Sequence, residues 1–424
     1  MFSLVFSVAL VIEAMVALLL LGSLAAVRVL FRGYFALRRW RREAARPDYN
    51  LLLKSPLAPS VAAIAVVPHG DPQYIAFVRR LLETAFGDRE VIVVLNGASL
   101  RAVETWSDEF HLFPSFRVTG EPLPAGPVRG VFESRDPIQL VVVDKQAGTP
   151  ADALNLAVNA SAAPYIALFD SNSEFDQDAL LRLILPILQE PDTLAVCGSA
   201  PPQSSGAMAG RFAEIEALRA WLGCSLAFAG WNRLLPSPGQ AAIIQRKAII
   251  DSGGWSGGLL KMFLQLHAHA HKKNRPYRIA FLPDAVSRTP LAGSMEDLRK
   301  HLSHEQQWFA GSVAAGALGS WSLFALFWAR FLRPLLETLL YVLTAVALVM
   351  RWIGAPLALL VILATVGSGI LISMTAVVLR ELAERNATDP AELRKLFLAA
   401  IPENLGYRQM RNLWLIVDFF QRPA

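Results

Sequence analysis

The chain has 424 residues, of which 54% are hydrophobic and 18% are charged, and its formal net charge is +5. This apolar composition excludes an ordinary soluble enzyme. The small net charge, with basic residues placed beside apolar segments, favours a lipid bilayer over nucleic acid as the partner. Two cysteines, Cys197 and Cys224, are too few for a disulfide framework, so we expect free thiols.

Residues 1–31 are predicted to form a transmembrane anchor. The apolar run from Phe2 to Val27 is long enough to cross a bilayer core of about 30 Å at about 1.5 Å per residue. It lacks the basic start of a cleaved signal peptide, and its basic residues follow it instead. The positive-inside rule therefore predicts an N-terminus outside and a basic cytoplasmic linker over residues 32–58.

Residues 59–304 are predicted to form a cytoplasmic α/β domain. Short apolar runs alternate there with helical patterns, as in a parallel, doubly wound sheet with strands buried on both faces. Several polar residues follow these runs, where such sheets bind ligands. Each alone is explained by a turn or a helix cap, but together they outline a nucleotide crevice. They are His69, Asp71, Asn96, Asp170 and Asn172.

Apolarity returns near the C-terminal end of the chain. We expect interfacial helices over 305–331, a transmembrane helical hairpin over 332–380 and a cytoplasmic amphipathic tail over 381–424. Residues 312–331 have two interpretations, an interfacial helix or a further span; basic flanks favour three spans in all and a cytoplasmic C-terminus. Glu13 and Glu337 lie within spans, where an acid either lines a lumen or bonds to another helix.

Several stretches together resemble the membrane-bound family-2 glycosyltransferases, the synthases of polysaccharides and glycolipids. The matching residues, in chain order, are Ala151–Asn155, Ala163–Asp170, Gly253–Trp255, Arg275–Ile279 and Pro402–Gln409. The resemblance implies a GT-A fold with a Rossmann-like, mostly parallel sheet, and inverting transfer from a nucleotide-sugar. It also implies a nucleotide diphosphate bound with Mg2+ or Mn2+.

The catalytic motifs of that family are degenerate in this chain. Asn96 replaces the acid that reads the nucleotide base, and Pro150 replaces a lysine near the phosphates. The metal-binding Asp-x-Asp becomes Asp170-Ser171-Asn172, which leaves one carboxylate and a weak metal site. The acceptor-activating acids fall on Gly258 and Leu259, neither of which can take a proton.

The family's pyrophosphate and acceptor motif is altered as well. Its Trp is kept at Trp308, but His304 and Gln307 stand where the family has Gln and Arg. Gln307 carries no charge to offset the leaving group, whereas Arg offers a fixed five-donor fork. These losses predict weak nucleotide binding without turnover.

The function we expect from the sequence is an inner (plasma) membrane homologue that is catalytically impaired. It would serve as an accessory or regulatory subunit of an active surface-polysaccharide or glycolipid synthase, with a glycosyltransferase or a second copy as its partner. The alternative is a diverged active inverting transferase that uses a nucleotide-sugar donor, Asp170, Glu174 or Asp176 at the metal, and an unidentified base. Glu174 and Asp176 fit better as acids that open a helix, and Asp251 fits better as part of the helix before Gly253. His267 and His271 share a helix face at a zinc-binding spacing, but no third ligand accompanies them, so a surface helix is favoured.

Overall fold

The computed structural model describes most of the chain. The described residues are 2–43, 59–117, 122–135, 139–200, 202–203, 207–230, 232, 240–273, 276–285, 287–290, 294–300, 302–303, 306, 324, 327–384 and 389–420. They form two compact units. Unit 1 consists of residues 1–43, 202–230 and 290–424, and unit 2 of residues 44–201 and 231–289.

The elements of unit 2 are a sheet and the helices that flank it. In chain order they are β1 (Val61–Pro68), α2 (Ile75–Leu82), β2 (Arg89–Asn96), α3 (Leu100–Phe110), β3 (Leu112–Pro114), β4 (Val128–Ser134), β5 (Gln139–Lys145), α4 (Pro150–Ala160), β6 (Tyr165–Leu168), β7 (Glu174–Phe175), α5 (Ala179–Gln189), β8 (Thr193–Ser199), β10 (Ala242–Gln245), α7 (Arg246–Asp251), α8 (Leu259–Lys273), β11 (Arg278–Ala285) and β12 (Ser287–Pro290).

The elements of unit 1 are mostly long helices. In chain order they are α1 (Phe2–Glu43), β9 (Pro202–Gln203), α6 (Met208–Ala220) with its π-helical continuation Trp221–Ala227, the π-helical turn Trp328–Leu332 with α9 (Arg333–Val349), α10 (Ala355–Glu384), α11 (Pro390–Pro402), the π-helical turn Glu403–Tyr407 and α12 (Arg408–Phe420).

Unit 2 is built on a nine-stranded sheet, within the described residues, in the order β11-β8-β10-β6-β1-β2-β5-β4-β3. Only β10 and β4 run against the other strands, so the predicted mostly parallel sheet is confirmed. The valine-rich strands β2 and β5 are buried on both faces, as their continuous apolar runs predict. Chain order reverses at β1, which lies between β2 and β6; this is where ligands bind in open α/β sheets.

Three helices of unit 1 are long and apolar enough to cross a membrane: Val5–Arg42, Trp328–Val349 and Ala355–Leu382. The first, α1, continues unbroken to Glu43, so the start of the basic segment predicted as a linker extends the same helix. The hairpin turn places Arg351 in the left-handed region at φ 57, and the Trp352 amide donates to the Ala347 carbonyl at 2.7 Å. Most of 305–331, including the ambiguous segment, lies outside the described residues.

Candidate functional site

The carboxyl ends of β1, β2 and β5 lie level with one another. In the strand register Pro68 pairs with Asn96, and Asn96 pairs with Lys145. The backbone continues this alignment beyond the strands, because the His69 amide donates to the Asn96 carbonyl at 2.9 Å. His69 and Asn96 therefore lie together at this edge of the sheet. The other neighbour of β1 is β6, and Asp170 follows just past the end of β6.

His69 and Asp71 form the turn that follows β1. His69 is exposed and takes a left-handed backbone conformation at φ 53. The Asp71 carboxylate caps the short helical turn after it, accepting from the Gln73 amide at 3.0 Å and from the Gln73 side chain at 2.7 Å. The two residues thus shape the rim of the edge, and the contacts of Asp71 are those of a cap.

Both polar atoms of the Asn96 side chain bond to the protein itself. Its amide nitrogen donates to the Gly148 carbonyl at 2.8 Å. Its amide oxygen accepts from the Gly148 backbone at 3.0 Å and from Lys145 Nζ at 3.4 Å. A carbonyl-type oxygen has two lone pairs, and both are used here. The sequence places Asn96 in a predicted nucleotide crevice, whereas in the structure its side-chain oxygen bonds to Lys145 and to the loop before α4.

An ion pair between a buried lysine and a partly exposed aspartate lies directly beside Asn96. Lys145 is 1% exposed, and its Nζ lies 2.5 Å from Asp152 Oδ2 and donates to the Gln146 carbonyl at 2.9 Å. The other Asp152 oxygen accepts from the Gly126 amide at 2.5 Å. The pair is enclosed by two glycines, since a Cβ added at Gly148 would lie 2.5 Å from Lys145 Nζ, and one at Gly126 would lie 3.1 Å from it.

This ion pair is not predicted from the sequence. Asp152 enters there only within the match Ala151–Asn155, and Lys145 does not enter. The available signal was a lysine that ends an apolar strand, followed by Gly148 and the helix-opening Thr149-Pro150, with an acid in the first helical turn. An acid is favoured at that position because the helix dipole is positive there.

The segment matched to the metal motif offers one carboxylate. Asp170 Oδ1 already accepts from the Asn172 backbone amide at 3.0 Å in a tight turn, and the Asn172 side chain is neutral and exposed. Arg80 donates to the carbonyls of Ser171 and Ser173 at 3.4 Å each, which places a cation beside the same turn. Magnesium or manganese is usually held by one or two carboxylates together with substrate phosphates, and Asp170 is the one carboxylate that the turn 170–172 offers.

The two acids considered as further metal ligands beside Asp170 belong to other parts of the fold. Glu174 is an exposed residue of β7, and its backbone pairs with Arg288 on β12. Asp176 binds Arg182 at 3.2 Å and Arg288 at 3.3 Å. Among the residues that the structure describes, no three His, Cys, Asp or Glu side chains group into a metal site.

The loop matched to the acceptor base contains no acid. Gly258 is exposed, and a Cβ added there would meet no atom within 4 Å; Leu259 is the first residue of α8. Asp251 ends α7 and binds Lys273 at 3.1 Å, so it belongs to a surface ion pair rather than to this loop. The loop's geometry is nonetheless that of a structured turn.

Asn155 fixes the start of that loop. Its amide oxygen accepts from the Trp255 backbone at 2.7 Å, and its nitrogen donates to the Trp255 carbonyl at 3.2 Å. Gly253 and Gly254 take φ values of 91 and 81, which side chains rarely adopt. The motifs around Asn155 and Gly253–Trp255 thus maintain backbone structure.

The remaining candidates from the sequence are the pyrophosphate and acceptor motif and the histidines of α8. His304, Gln307 and Trp308 lie outside the described residues. His267, on α8, contacts the Tyr277 hydroxyl at 3.2 Å through Nδ1, which accounts for this histidine without a metal.

The Cys197 thiol is buried and donates to Gln240 Oε1 at 3.0 Å; burial raises the pKa of this thiol well above its usual range.

No protein-family model matches the chain, and no curated protein sequence matches it. Solved structures do match it. A mannosyltransferase from Pyrobaculum calidifontis, solved with GDP-Man and Mn2+, has a TM-score of 0.53 at 17% identity, covering 93% of this chain and 99% of that one. A glucosyl-3-phosphoglycerate synthase from Mycobacterium tuberculosis, solved with Mn2+ and UDP, has a TM-score of 0.39 at 14% identity, covering 65% of this chain and 86% of that one. The first likeness extends over nearly the whole of both chains, and it confirms that this chain has the GT-A glycosyltransferase fold.

Proposed function

We propose that this chain is a membrane-bound GT-A protein that does not transfer sugar itself. It acts as an accessory or regulatory subunit of an active synthase of surface polysaccharide or glycolipid in the inner membrane. The observation that supports this most directly is the state of Asn96, whose side-chain oxygen and nitrogen both bind the protein's own backbone and Lys145. A nucleotide base would have to break these bonds to be read there.

The remaining losses act on later steps of the reaction. With Asp170 alone at the metal position, the charge that develops on a leaving nucleotide diphosphate has little to offset it. With Gly258 and Leu259 in place of an acid, no side chain at that position can accept the proton of an acceptor hydroxyl. Loss of a general base alone costs about 10²–10⁴-fold in rate.

The retained framework supports a role for the fold itself. Asn155, Gly253, Gly254 and Trp255 keep the hydrogen bonds and left-handed turns that hold the crevice loops in place. A chain under no requirement for this shape would not need them. An accessory subunit that docks on an active transferase, or positions it, requires a folded GT-A surface but no catalytic turnover.

The test separates a scaffold from an enzyme in the native membrane. The gene would be deleted, and sugar incorporation into polymer and lipid-extractable fractions would be measured after return of the wild-type chain or of Asp170→Ala. Asp108→Asn, which changes an exposed carboxylate on α3, is the matched control. An accessory subunit predicts full restoration by all three chains, and recovery of a transferase with a complete Asp-x-Asp motif on purification.

The alternative, a diverged active transferase, predicts a different result. The mannosyltransferase with the similar fold was solved with GDP-Man and Mn2+. GDP-Man is therefore the donor to offer the purified chain, together with Mn2+. Metal-dependent transfer or hydrolysis by the chain alone, together with failure of Asp170→Ala to restore incorporation, would establish the alternative and overturn the accessory role.

A further inference from the structure

The chain after α10 bends back on itself. It continues through α11, the π-helical turn 403–407 and α12, and the backbone leaves helical conformation at Leu405 (φ −106, ψ 34) and Gly406 (φ 166, ψ −63). At this kink α11 gives way to α12, so the two helices can return in different directions. Along these two helices, the polar and apolar side chains differ in which ones are buried and which are exposed.

Five polar residues from the turn 403–407 to the end of α12 are buried. Glu403 accepts from Arg219 at 2.8 Å and from Ser373 at 2.6 Å, and is fully buried. Arg408 donates to Glu337 of α9 at 2.9 Å and to Asn404 at 2.9 Å. The buried polar residues recur along one face; they are Glu403, Asn404, Arg408, Asn412 and Asp418.

While Leu396, Tyr407 and Leu415 are buried, seven large apolar residues of the segment point outward. They follow one another at intervals of three to five residues, from Leu398 in α11 to Phe420 in α12. Leu405 is 61% exposed, Leu413 is 51% exposed and Phe420 is 71% exposed. The full set is Leu398, Ile401, Leu405, Met410, Leu413, Val417 and Phe420. A helix on a water-soluble domain shows the opposite pattern, with its apolar stripe facing the core.

The helix α9, which is long and apolar enough to cross a membrane, also buries a polar residue and exposes apolar ones. Glu337 is 2% exposed and binds Tyr341, Arg408 and Asn412, while Leu339 and Val342 face outward. Lipid offers no hydrogen bonds, so a polar group at that depth must find its partners inside the protein. Arg408 and Asn412 of α12 both bond to Glu337, so α12 lies against α9 within the same unit.

The kink lies at the depth of the membrane-spanning helices. The Gly369 backbone of α10 is so close to the tail that a Cβ there would lie 1.8 Å from Arg408 Nη1 and 2.2 Å from Asn404 Oδ1. Gly369 is 14 residues beyond Ala355. At about 1.5 Å per residue, it is about 21 Å along α10, inside an apolar core of about 30 Å.

Both ends of the segment return toward the basic ends of the spans. Phe419, near the end of α12, packs on Phe331 with ring centroids 4.2 Å apart, and Phe331 precedes Glu337 by about 9 Å of helix. Asp418 binds Ser303. At the other end, the first turns of α11 expose Glu392, Arg394 and Lys395, which are charged and suit water rather than acyl chains.

We propose that residues 390–420 form a re-entrant helical hairpin embedded in one leaflet of the bilayer. Its tip at Glu403–Tyr407 lies among the spans, and its apolar face contacts lipid acyl chains. This replaces the sequence-based picture of a helix lying flat on the membrane surface. The hairpin does not depend on the accessory role, because either an enzyme or a scaffold would be anchored in this way.

Spin-label accessibility in lipid nanodiscs tests the hairpin. A variant with Cys197→Ser and Cys224→Ser would carry one label at a time at Lys395, Leu405, Leu413 or Phe420, with Leu363 of α10 as the mid-membrane reference. The ratio of oxygen to nickel-chelate collision rates should rise in the order Lys395, Phe420, Leu413, Leu405. Equal values at the last three sites would indicate a flat helix, and a low collision rate with both reagents would indicate a protein partner; either result overturns the proposal.

A second measurement covers the case in which the cysteine-free chain does not fold. A photo-reactive benzoylphenylalanine replaces Leu405 or Leu413 in the otherwise unchanged protein, with Glu392 as the control position. Cross-links to lipid, identified by mass, are expected at the first two positions and not at the third. Cross-links to protein or none at all at Leu405 and Leu413 would overturn the proposal.

Discussion

Buried polar side chains have different surroundings in the two units of this chain. In unit 2 they gather at the edge of the sheet, where a ligand would be read, and Asn96 and Lys145 are bound to their neighbours there. In unit 1 they are drawn inward, and Glu337, Glu403 and Arg408 are almost fully buried, while leucines face outward. The difference shows that burial of a polar group has to be judged against its surroundings, since lipid excludes it and water does not.

The largest effect is expected from breaking a buried pair in unit 1. Arg408→Leu leaves the Glu337 carboxylate without its cation, which should cost about 3–5 kcal/mol, whereas the double variant Glu337→Leu, Arg408→Leu removes both charges and should recover most of this. Thermal unfolding in detergent micelles measures it. The exposed Arg394→Leu is the matched control; a midpoint for Arg408→Leu equal to that of the control would refute the assignment.

The next effect comes from the glycine beside the ion pair in unit 2. A methyl group at Gly148 would meet Lys145 Nζ and Asp152 Oδ2, each at 2.5 Å, and the two atoms are held in place by each other. Gly148→Ala should therefore destabilise the protein by about 1–3 kcal/mol. Gly258→Ala, whose Cβ meets no atom within 4 Å, should stay within about 0.5 kcal/mol of wild type in the same melt. Equal shifts would mean that the glycine does not enclose the pair.

A smaller change sharpens the interpretation of Asn96. Asn96→Asp restores the family's acid but removes the donor that binds the Gly148 carbonyl, and the new carboxylate would face Lys145 Nζ. We expect a loss of about 1–3 kcal/mol in stability and no gain of nucleotide binding by calorimetry. Binding of GDP-Man by this variant but not by wild type would show that the acid alone was missing.

The smallest effect concerns Cys197. Its thiol is buried against Gln240, and burial raises its pKa, so the reactive thiolate stays scarce as pH increases. Labelling of Cys197 by a maleimide should remain slow from pH 7 to pH 9 in the folded protein and become fast in denaturant, as followed by peptide mass. Rapid labelling at pH 7 without denaturant would contradict the buried position.

Periodicity sufficed to predict the sheet and the hairpin. The continuous apolar runs from Val61 and Val91 became central strands, and the turn at Arg351 falls where the sequence predicted it. These features depend on local patterns that each segment carries within itself. The likeness to the mannosyltransferase, over 93% of the chain, then confirmed the fold that the motifs had suggested.

Features that depend on distant partners were not visible in the sequence. Lys145 resembles any residue after a strand until the fold brings Asp152 and the Gly126 backbone to it. Asn412 and Asp418 resemble the polar face of a surface helix, and only the contacts with Glu337 and Ser303 show that this face points inward. An amphipathic pattern gives the two faces of a helix but does not tell which one meets the protein.

Titration of GDP-Man with Mn2+ into the purified full chain by calorimetry tests the central claim most directly. With both polar atoms of the Asn96 amide bonded internally and one carboxylate at the metal position, we predict no saturable heat up to millimolar nucleotide. The mannosyltransferase from Pyrobaculum calidifontis, solved with this same pair, is the positive control. Saturable, Mn2+-dependent binding to this chain that Asp170→Ala abolishes would contradict the account.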